Sequence, residues 1–257
     1  MSTSTANPNF LKGKTVLITG GTKNLGRETA IEFSKLQANL FIHYRSTPHP
    51  TQLEHFADVL SKAGSKVEFY QSDLTSAKDV HKMFSTAKEK FPNGIDIAIN
   101  NIGKVLKKPL VEVSEEEFDG MDLVNNKIAF FFIQEAGKSL NENGKIISLV
   151  TSLLAAYTPF YSSYQGTKAP VEYYSKAASK ELQQKGISVN CIAPGPMDTP
   201  FLYGQEKNKD ISYYKTMGLH GRLTETHDIV PIIRFLAYEG SWITGQTIYA
   251  SGGFTAH

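Results

Sequence analysis

Seven short apolar runs alternate with longer amphipathic stretches along this chain of 257 residues. The runs predicted to be strands are 15–19, 39–44, 66–70, 95–100, 145–150, 187–193 and 246–250. The stretches predicted to be helices are roughly 25–37, 50–63, 76–90, 114–140, 162–185 and 226–238. Strands that are apolar throughout are typical of a parallel sheet with both faces covered, and right-handed crossovers place the helices there. The chain is therefore predicted to be an α/β protein with a doubly wound parallel sheet of about seven strands.

A single domain is predicted over 1–257, because no internal repeat, low-complexity segment or Pro/Ser-rich linker divides the chain. Residues 1–10 are expected to be flexible. The segment 200–225 is the least regular part and is rich in aromatic residues and lysines. It is predicted to be either a substrate lid or a surface insertion, and the sequence leaves both alternatives open.

The composition does not indicate a nucleic-acid or membrane partner. The formal net charge is only +2, and no apolar run is long enough to span a bilayer. The start of the chain lacks the basic and apolar regions of a secretory signal, and the single cysteine suits a reducing compartment. The histidines show no metal-ligand spacing. We therefore expect a cytoplasmic protein without a metal.

The first predicted strand runs into a glycine-rich turn, TGGTKNLG, at 19–26. Gly20 and Gly21 allow a tight turn, and Gly26 lets the next helix lie close to the strand. Asn24 stands where another glycine might be expected, but asparagine also tolerates positive φ. The start of that helix offers free N–H groups and a positive dipole end to a pyrophosphate. The turn is a candidate nucleotide site, although glycine-rich turns also serve purely structural roles.

The end of the second predicted strand bears on which nucleotide would bind. An NAD enzyme usually carries an acidic residue there for the ribose 2′-hydroxyl, but this strand ends in Tyr44 followed by Arg45. Lys23, inside the glycine-rich turn, can reach the same place. Two cations would favour a 2′-phosphate, so NADPH/NADP+ is the predicted cofactor. The alternative is that both residues are ordinary surface charges.

Tyr164 and Lys168 are spaced so that a helix brings them to one face. A phenol titrates near ~10, and a neighbouring ammonium would lower its pKa and allow proton transfer nearer neutral pH. Tyr203 and Lys207 have the same spacing. They lie in the irregular segment, whereas Tyr164 begins a long predicted helix soon after a strand end. Tyr164 and Lys168 are therefore the predicted catalytic pair.

Further short motifs follow in order along the chain. They are NNIG at 100–103, VNNK at 124–127 and PGPMDT at 194–199, besides the turn at 19–26 and Y-x-x-x-K at 164–168. Together they resemble the motifs of the short-chain dehydrogenase/reductase family, over nearly the whole chain. The resemblance implies a Rossmann fold and hydride transfer between a nicotinamide and a carbonyl or alcohol carbon.

The resemblance also implies roles for individual side chains. Tyr164 would be the acid/base, and Lys168 would lower its pKa and hold the nicotinamide ribose. Asn125 would support a water relay through its main chain. A hydroxyl at the strand end would bond the substrate oxygen; the family usually has serine there, whereas spacing places Thr151 here, with Ser152 as the alternative.

A cofactor site and a substrate pocket complete the predicted machinery. Asp73 stands where the family contacts adenine, and Thr199 where it meets the nicotinamide carboxamide. The predicted cofactor residues are Gly20, Thr22, Lys23, Asn24, Leu25, Gly26, Tyr44, Arg45, Ser46, Asp73, Leu74, Asn101, Gly103, Tyr164, Lys168, Pro194, Gly195, Met197 and Thr199. The residues predicted to line an apolar substrate pocket, with core packing as the alternative, are Leu153, Tyr157, Phe160, Phe201 and Tyr203.

The predicted function is NADPH-dependent reduction of a small-molecule aldehyde or ketone. The alternatives are an alcohol dehydrogenase, a 3-oxoacyl thioester reductase and a non-enzymatic NADP(H) sensor on the same fold. The helix segment 129–136 and the Tyr164 helix resemble the family's subunit interfaces. That resemblance implies a homodimer or homotetramer.

Overall fold

The seven predicted strands form one parallel sheet. The computed structural model describes residues 10–46 and 50–255, so the expected flexible start lies outside the described residues except for Phe10. The strands are β1 (Thr15–Ile18), β2 (Asn39–Tyr44), β3 (Val67–Gln71), β4 (Ile95–Asn100), β5 (Leu140–Leu149), β6 (Ser188–Pro194) and β7 (Thr247–Ala250). Their order across the sheet is β3-β2-β1-β4-β5-β6-β7, with parallel pairing throughout. The predicted doubly wound α/β fold is confirmed.

The helices largely follow the predicted stretches. They are α1 (Asn24–Lys35), α2 (Pro50–Lys62), α3 (Ala77–Lys90), α4 (Glu115–Asp122), α5 (Ile128–Ser139), α6 (Leu153–Ala156), α7 (Ser162–Glu181), α8 (Pro200–Tyr203), α9 (Asn208–Met217) and α10 (Thr226–Ala237). The predicted helix 114–140 is divided, because a π-helical turn covers Leu123–Lys127 and β5 already begins at Leu140. The segment 200–225, expected to be irregular, contains α8 and α9. Within the described ranges, no helix has the length and apolar character needed to cross a membrane.

The core lies on both faces of the sheet, as the apolar strands require. Successive residues of β1 point to opposite faces. Leu17 packs with Phe132 in the cluster beneath α3, α5 and α7, whereas Ile18 packs with Phe33 in the cluster beneath α1 and α10. All four of these side chains are fully buried. The helices on both faces therefore hold the strands in place and leave the ends of the strands free to carry a site.

Two further features of the sequence lie in α4 and α7. Ser114 caps α4 by accepting a hydrogen bond from the Glu117 backbone N–H at 3.2 Å, and the Glu117 carboxylate accepts from the Ser114 N–H at 2.9 Å. These two reciprocal hydrogen bonds form a capping box. Pro170 lies inside α7, and the helix continues beyond it to Glu181.

The entry from β1 into α1 depends on a very close approach of two backbone segments. A Cβ atom on Gly26 would stand 2.3 Å from the Gly20 carbonyl oxygen and 2.7 Å from the Asn101 side-chain nitrogen. Both contacts are far shorter than real Cβ atoms make. Gly26 therefore sets how closely the first turn of α1 lies against the end of β1.

Alanine at Gly26 should destabilise the protein by about 1–3 kcal/mol, because the backbone on the other side of the contact cannot move aside easily. Gly166 in α7 provides the control, since a Cβ there would meet nothing within 4 Å. Gly166→Ala should be neutral or raise the free energy of unfolding by up to ~1 kcal/mol through helix propensity. Urea unfolding of both variants measures the difference. Equal unfolding midpoints would contradict the tight packing of α1 on β1.

Candidate active site

A cavity of about 420 Å³ lies at the carboxyl ends of the strands. This is where a doubly wound sheet binds its ligands. Almost all of the predicted cofactor residues line it. They are Gly20, Thr22, Lys23, Asn24, Leu25, Tyr44, Arg45, Ser46, Asp73, Leu74, Asn101, Gly103, Tyr164, Lys168, Pro194, Gly195, Met197 and Thr199. Gly26 is the exception, since it packs behind the turn against the Gly20 carbonyl and does not face the cavity.

The glycine-rich turn has the conformation that its residues predict. Gly20 has φ +63°, and Asn24 has φ 46° at the start of α1, where the family motif has glycine. Asparagine tolerates this left-handed conformation better than most residues. The Asn101 side chain, beyond the end of β4, donates to the carbonyls of Thr19 and Gly20 at 3.2 and 3.3 Å. The turn is therefore braced from β4, and the first N–H groups of α1 face the cavity.

Two cations stand at the β2 end of the cavity. Lys23 and Arg45 both line it and are both exposed. Neither forms an ion pair with a carboxylate in the part of the chain that the structure describes, whereas lysines and arginines elsewhere pair with neighbouring acids. Tyr44, which occupies the position expected for an acid, is buried. Asp73, which follows β3, also lines the cavity, but it forms no ion pair with either cation among the described residues, so two positive charges stand against one negative charge at this end.

Tyr164 lies on α7 with its side chain buried at the other end of the cavity. Burial raises the pKa of its phenol to about 12, and a hydrogen bond with the Thr151 side chain opposes this shift in part. The phenol is therefore protonated at neutral pH. The expectation that Lys168 lowers the pKa of Tyr164 is not met in this structure.

Lys168 explains that difference. One helical turn after Tyr164, its ammonium donates to the backbone carbonyls of Leu149 at 2.9 Å and Ile102 at 3.2 Å. Burial lowers the pKa of Lys168 to about 8. Gly103 makes room for it, since a Cβ there would approach the lysine nitrogen to 3.2 Å. The lysine is thus held at the cavity wall by strand-end carbonyls, and burial is the main cause of the raised pKa of the phenol.

The two neighbouring hydroxyls after β5 have different surroundings. The Thr151 side chain bonds Tyr164 and accepts a hydrogen bond from the Leu153 N–H at 3.2 Å. Ser152 is 1% exposed, and its backbone is occupied at both ends: its N–H donates to the Pro194 carbonyl, and its carbonyl accepts from the first turn of α6. Both residues line the cavity, and of the two it is the Thr151 side chain that lowers the pKa of the Tyr164 phenol.

Asn125 lies in the π-helical turn and is fully buried behind the cavity wall. Its side-chain oxygen accepts from the Lys104 N–H at 2.9 Å, and its side-chain nitrogen donates to the Lys104 carbonyl at 2.8 Å and the Thr167 hydroxyl at 3.1 Å. The side chain is therefore occupied in joining the loop after β4 to α7. A π-helical turn displaces main-chain carbonyls from the regular helix pattern, and such turns are common at functional sites.

The predicted apolar pocket is only partly correct. Leu153 and Phe201 line the cavity, whereas Tyr157, Phe160 and Tyr203 do not. Tyr157 and Phe160 are 75% and 52% exposed, and the Tyr203 hydroxyl donates to Asp198 at 2.7 Å on the outside.

The sequence did not reveal a polar wall at the substrate end of the cavity. It is formed by Tyr161, Gln205, Glu206 and Tyr214, which all line the cavity. Lys107, from the loop after β4, pairs with the Glu206 carboxylate. The segment that carries α8 and α9 therefore contributes residues to this end of the cavity. No motif marks these residues, because they come together from three separate parts of the chain.

The remaining candidate nucleophile is structural. Cys191 is fully buried in β6, its sulfur lies 3.2 Å from the Ser175 hydroxyl, and burial raises the pKa of its thiol to about 11. In the described ranges, no group of three or more histidine, cysteine, aspartate or glutamate residues is placed to hold a metal ion.

The free energy of unfolding should depend on pH through Lys168. Its pKa is about 8 when folded against 10.5 ordinarily, so between those values the unfolded chain binds a proton that the folded protein has released. Folding is therefore disfavoured most below pH 8. Relative to Lys168→Met, the wild type should gain about 2 kcal/mol between pH 7 and 10.

Urea unfolding at a series of pH values measures this gain, with Lys82→Met as the control because Lys82 is exposed. A wild-type minus Lys168→Met difference that stays constant with pH would show that the buried lysine does not titrate in this range.

Comparison with known proteins places the chain among reductases and dehydrogenases. The family profile described as "Enoyl-(Acyl carrier protein) reductase" matches residues 20–255. The chloroplastic NADPH-dependent aldehyde reductase 2 of Arabidopsis thaliana is 33% identical over 96% of this chain and 95% of its own length. A solved Burkholderia cenocepacia structure with bound NADP is 48% identical, covers 98% of this chain and 97% of its own, and has a TM-score of 0.93. A short-chain dehydrogenase from Oenococcus oeni is 51% identical with a TM-score of 0.76, covering 96% and 98%.

Proposed function

This chain belongs to the short-chain dehydrogenase/reductase family, and on that premise we propose that it reduces aldehydes or ketones to alcohols with NADPH. The chain is an oxidoreductase acting on carbonyl or CH–OH groups, with NADP(H) as its cofactor. One observation carries the proposal: a single cavity has two unpaired cations at one end and a protonated, buried phenol bonded to a threonine hydroxyl at the other. A non-enzymatic NADP(H) sensor would need the cations but not the buried phenol and the threonine hydroxyl.

The residues present fit NADPH. The positive φ of Gly20 and the braced turn offer the N–H groups of α1 to a pyrophosphate. Lys23 and Arg45 would hold the 2′-phosphate, because neither forms an ion pair with a carboxylate among the described residues. Asp73 and Leu74 lie in the lining where the adenine would rest. Farther along the same cavity, Asn101, Gly103 and Thr199 would surround the nicotinamide half.

Bound NADPH supplies the hydride for the carbonyl carbon. Tyr164 donates the proton to the carbonyl oxygen, and its raised pKa keeps that proton on the phenol at neutral pH. Thr151 provides a second hydrogen bond to the same oxygen, which stabilises the developing negative charge. We assign this role to Thr151 rather than to Ser152 because the Thr151 side chain bonds Tyr164.

Lys168 and Asn125 support Tyr164 in this proposal. Lys168 would orient the nicotinamide ribose from its place on the Leu149 and Ile102 carbonyls. Asn125 holds the loop after β4 against α7, so that its main chain can join a water relay which returns a proton to the phenol. A phenol that is protonated at neutral pH favours reduction over alcohol oxidation, since oxidation needs the phenolate as base.

The exposed aromatic side chains of α5 and α7 support assembly into a homodimer or homotetramer. Phe130 and Tyr173 are 41% and 68% exposed. Phe130 packs edge-on against Tyr174, which joins the two helices into one apolar face. Assembly through this face, and a location in the cytoplasm, remain predictions.

Cofactor preference should depend on Arg45. Each charge-assisted hydrogen bond to the 2′-phosphate contributes ~1.5–3 kcal/mol, so NADPH should be preferred over NADH by roughly 10²–10⁴ in kcat/KM. Arg45→Asp should abolish or invert this preference, because a carboxylate repels the phosphate and can accept from a ribose hydroxyl. The matched change Lys82→Asp, on the exposed face of α3, should leave it intact. Equal use of both cofactors by the wild type would refute the assignment.

The rate of the chemical step in four variants should distinguish the proposed catalytic residues, Tyr164 and Thr151, from Tyr203 and Ser152. Tyr164→Phe removes the transferable proton and should lower single-turnover reduction by ~10²–10⁴, while NADPH still binds. Thr151→Val should lower it by roughly 10²–10³. Tyr203→Phe, outside the cavity, should leave the rate nearly unchanged, and Ser152→Ala should cost much less than Thr151→Val.

These rates are to be measured after a screen of aldehydes, ketones and 3-oxoacyl thioesters with saturating NADPH, by following the absorbance of the reduced nicotinamide. Normal reduction by Thr151→Val together with an inactive Ser152→Ala would assign the catalytic hydroxyl to Ser152. Turnover of the thioesters alone would favour the alternative function, a 3-oxoacyl thioester reductase.

A further inference from the structure

The polar wall at the substrate end of the cavity is built around one buried carboxylate. The Glu206 side chain is 0% exposed. One of its oxygens accepts hydrogen bonds from the hydroxyls of Tyr161 and Tyr214, and the other accepts from the Lys107 ammonium. Lys107 also pairs with Asp210 at 3.2 Å. We call these five residues the Glu206 cluster.

The cluster carries a net negative charge. Its two carboxylates, Glu206 and Asp210, face one ammonium, that of Lys107. Burial lowers the pKa of Lys107, but its hydrogen bonds to the two carboxylates raise it above the usual value overall, so the lysine stays charged. Lys209 also influences Asp210, but it is exposed, so solvent screens its charge. Of these charged groups, Glu206 is the one that is fully buried and lines the cavity, so its negative charge is the one that a ligand at this end meets.

The two phenols of the cluster can only accept hydrogen bonds from a substrate. Burial and the Glu206 carboxylate both raise the pKa values of Tyr161 and Tyr214, so both remain protonated. Each hydroxyl already donates its single proton to Glu206. What remains on each phenol oxygen is lone-pair capacity. The wall thus offers acceptors, and the one ammonium nearby is already shared between two carboxylates.

The cluster lies next to the proposed proton donor. The ring centroids of Tyr161 and Tyr164 are 6.1 Å apart, and Phe201 packs on Tyr164 at 6.5 Å. Tyr161, Glu206 and Tyr214 line the same cavity as Tyr164. A substrate whose carbonyl oxygen rests at Tyr164 therefore turns its distal groups toward this wall, between apolar side surfaces such as Leu153 and Phe201.

Resting on the proposed function, we propose that Glu206 selects substrates by the charge of the group distal to the carbonyl. The cavity accepts carbonyl compounds whose distal group is neutral, preferably a hydroxyl. It rejects those whose distal group is a carboxylate. A hydroxyl can donate to the phenol oxygens, whereas a carboxylate would face the Glu206 charge, which the neutral Gln205 amide in the same wall does not offset. The effect is electrostatic and does not depend on the fit of the ring or chain between the two ends.

Two variants that change the cluster charge in opposite directions test this inference. Glu206→Gln removes the central negative charge, and Lys107→Gln removes the positive one. The substrates are 4-(hydroxymethyl)benzaldehyde and 4-carboxybenzaldehyde, and the measured quantity is the ratio of their kcat/KM values with NADPH. The ratio should favour the neutral aldehyde in the wild type by about tenfold or more. It should fall about tenfold in Glu206→Gln and rise in Lys107→Gln.

The control is Glu142→Gln, which removes the same charge from an exposed position near the amino end of β5. The cavity lies at the opposite, carboxyl ends of the strands. Its ratio should equal that of the wild type. Loss of packing or of lid closure would change the ratio of kcat/KM values in the same direction in Glu206→Gln and Lys107→Gln. Selection by charge requires the ratio to change in opposite directions in the two variants. A ratio unchanged in Glu206→Gln, or shifted alike in both variants, overturns the inference.

An equilibrium measurement keeps the inference separate from the proposed function. Calorimetric titration of the NADP+-loaded protein with 1,4-benzenedimethanol and with 4-(hydroxymethyl)benzoate needs no turnover. The neutral alcohol should bind more tightly by about tenfold, and Glu206→Gln should narrow the gap. Discrimination in binding without turnover of any carbonyl would refute the reductase and uphold the charge selection. Turnover of carbonyl compounds without any difference in binding between the two alcohols would uphold the reductase and refute the selection by charge.

Discussion

Parallel alignment of the strands is the constraint on which the site depends. Because β1, β2, β4, β5 and β6 all run the same way, their carboxyl ends meet at one edge. The glycine-rich turn, Arg45, Asn101, Thr151 and Pro194 follow those ends directly and so share one cavity, although they are far apart in sequence. The tight contact at Gly26 fixes the start of α1 against that edge.

The cavity is electrically asymmetric along its length. Lys23 and Arg45 leave its β2 end positive, whereas the cluster around Glu206 leaves the opposite end negative. Tyr164 and Lys168 lie toward the negative end, and burial is the main cause of the shifts in their pKa values. This asymmetry suits a cofactor with an extra phosphate at one end and a neutral substrate at the other.

The segment between α8 and α9 joins the catalytic helix to the loop after β4. Lys107 and Tyr161 both bond Glu206, across 99 and 45 residues of sequence. Asn125 makes a second connection between the same loop and α7 through Lys104 and Thr167. The loop after β4 is thus held from both sides, so the lid segment and the catalytic helix are positioned together.

The sequence alone determined the sheet, the glycine-rich turn, the cations Lys23 and Arg45 and the Y-x-x-x-K helix, because apolar periodicity and motif spacing are local properties of a chain. Only the tertiary structure decided that Lys168 bonds strand-end carbonyls instead of lowering the pKa of Tyr164. It also decided that Tyr157 and Phe160 face outward while Glu206 faces the cavity. Those outcomes depend on burial and on contacts between distant segments, and no local pattern of residues encodes either of them.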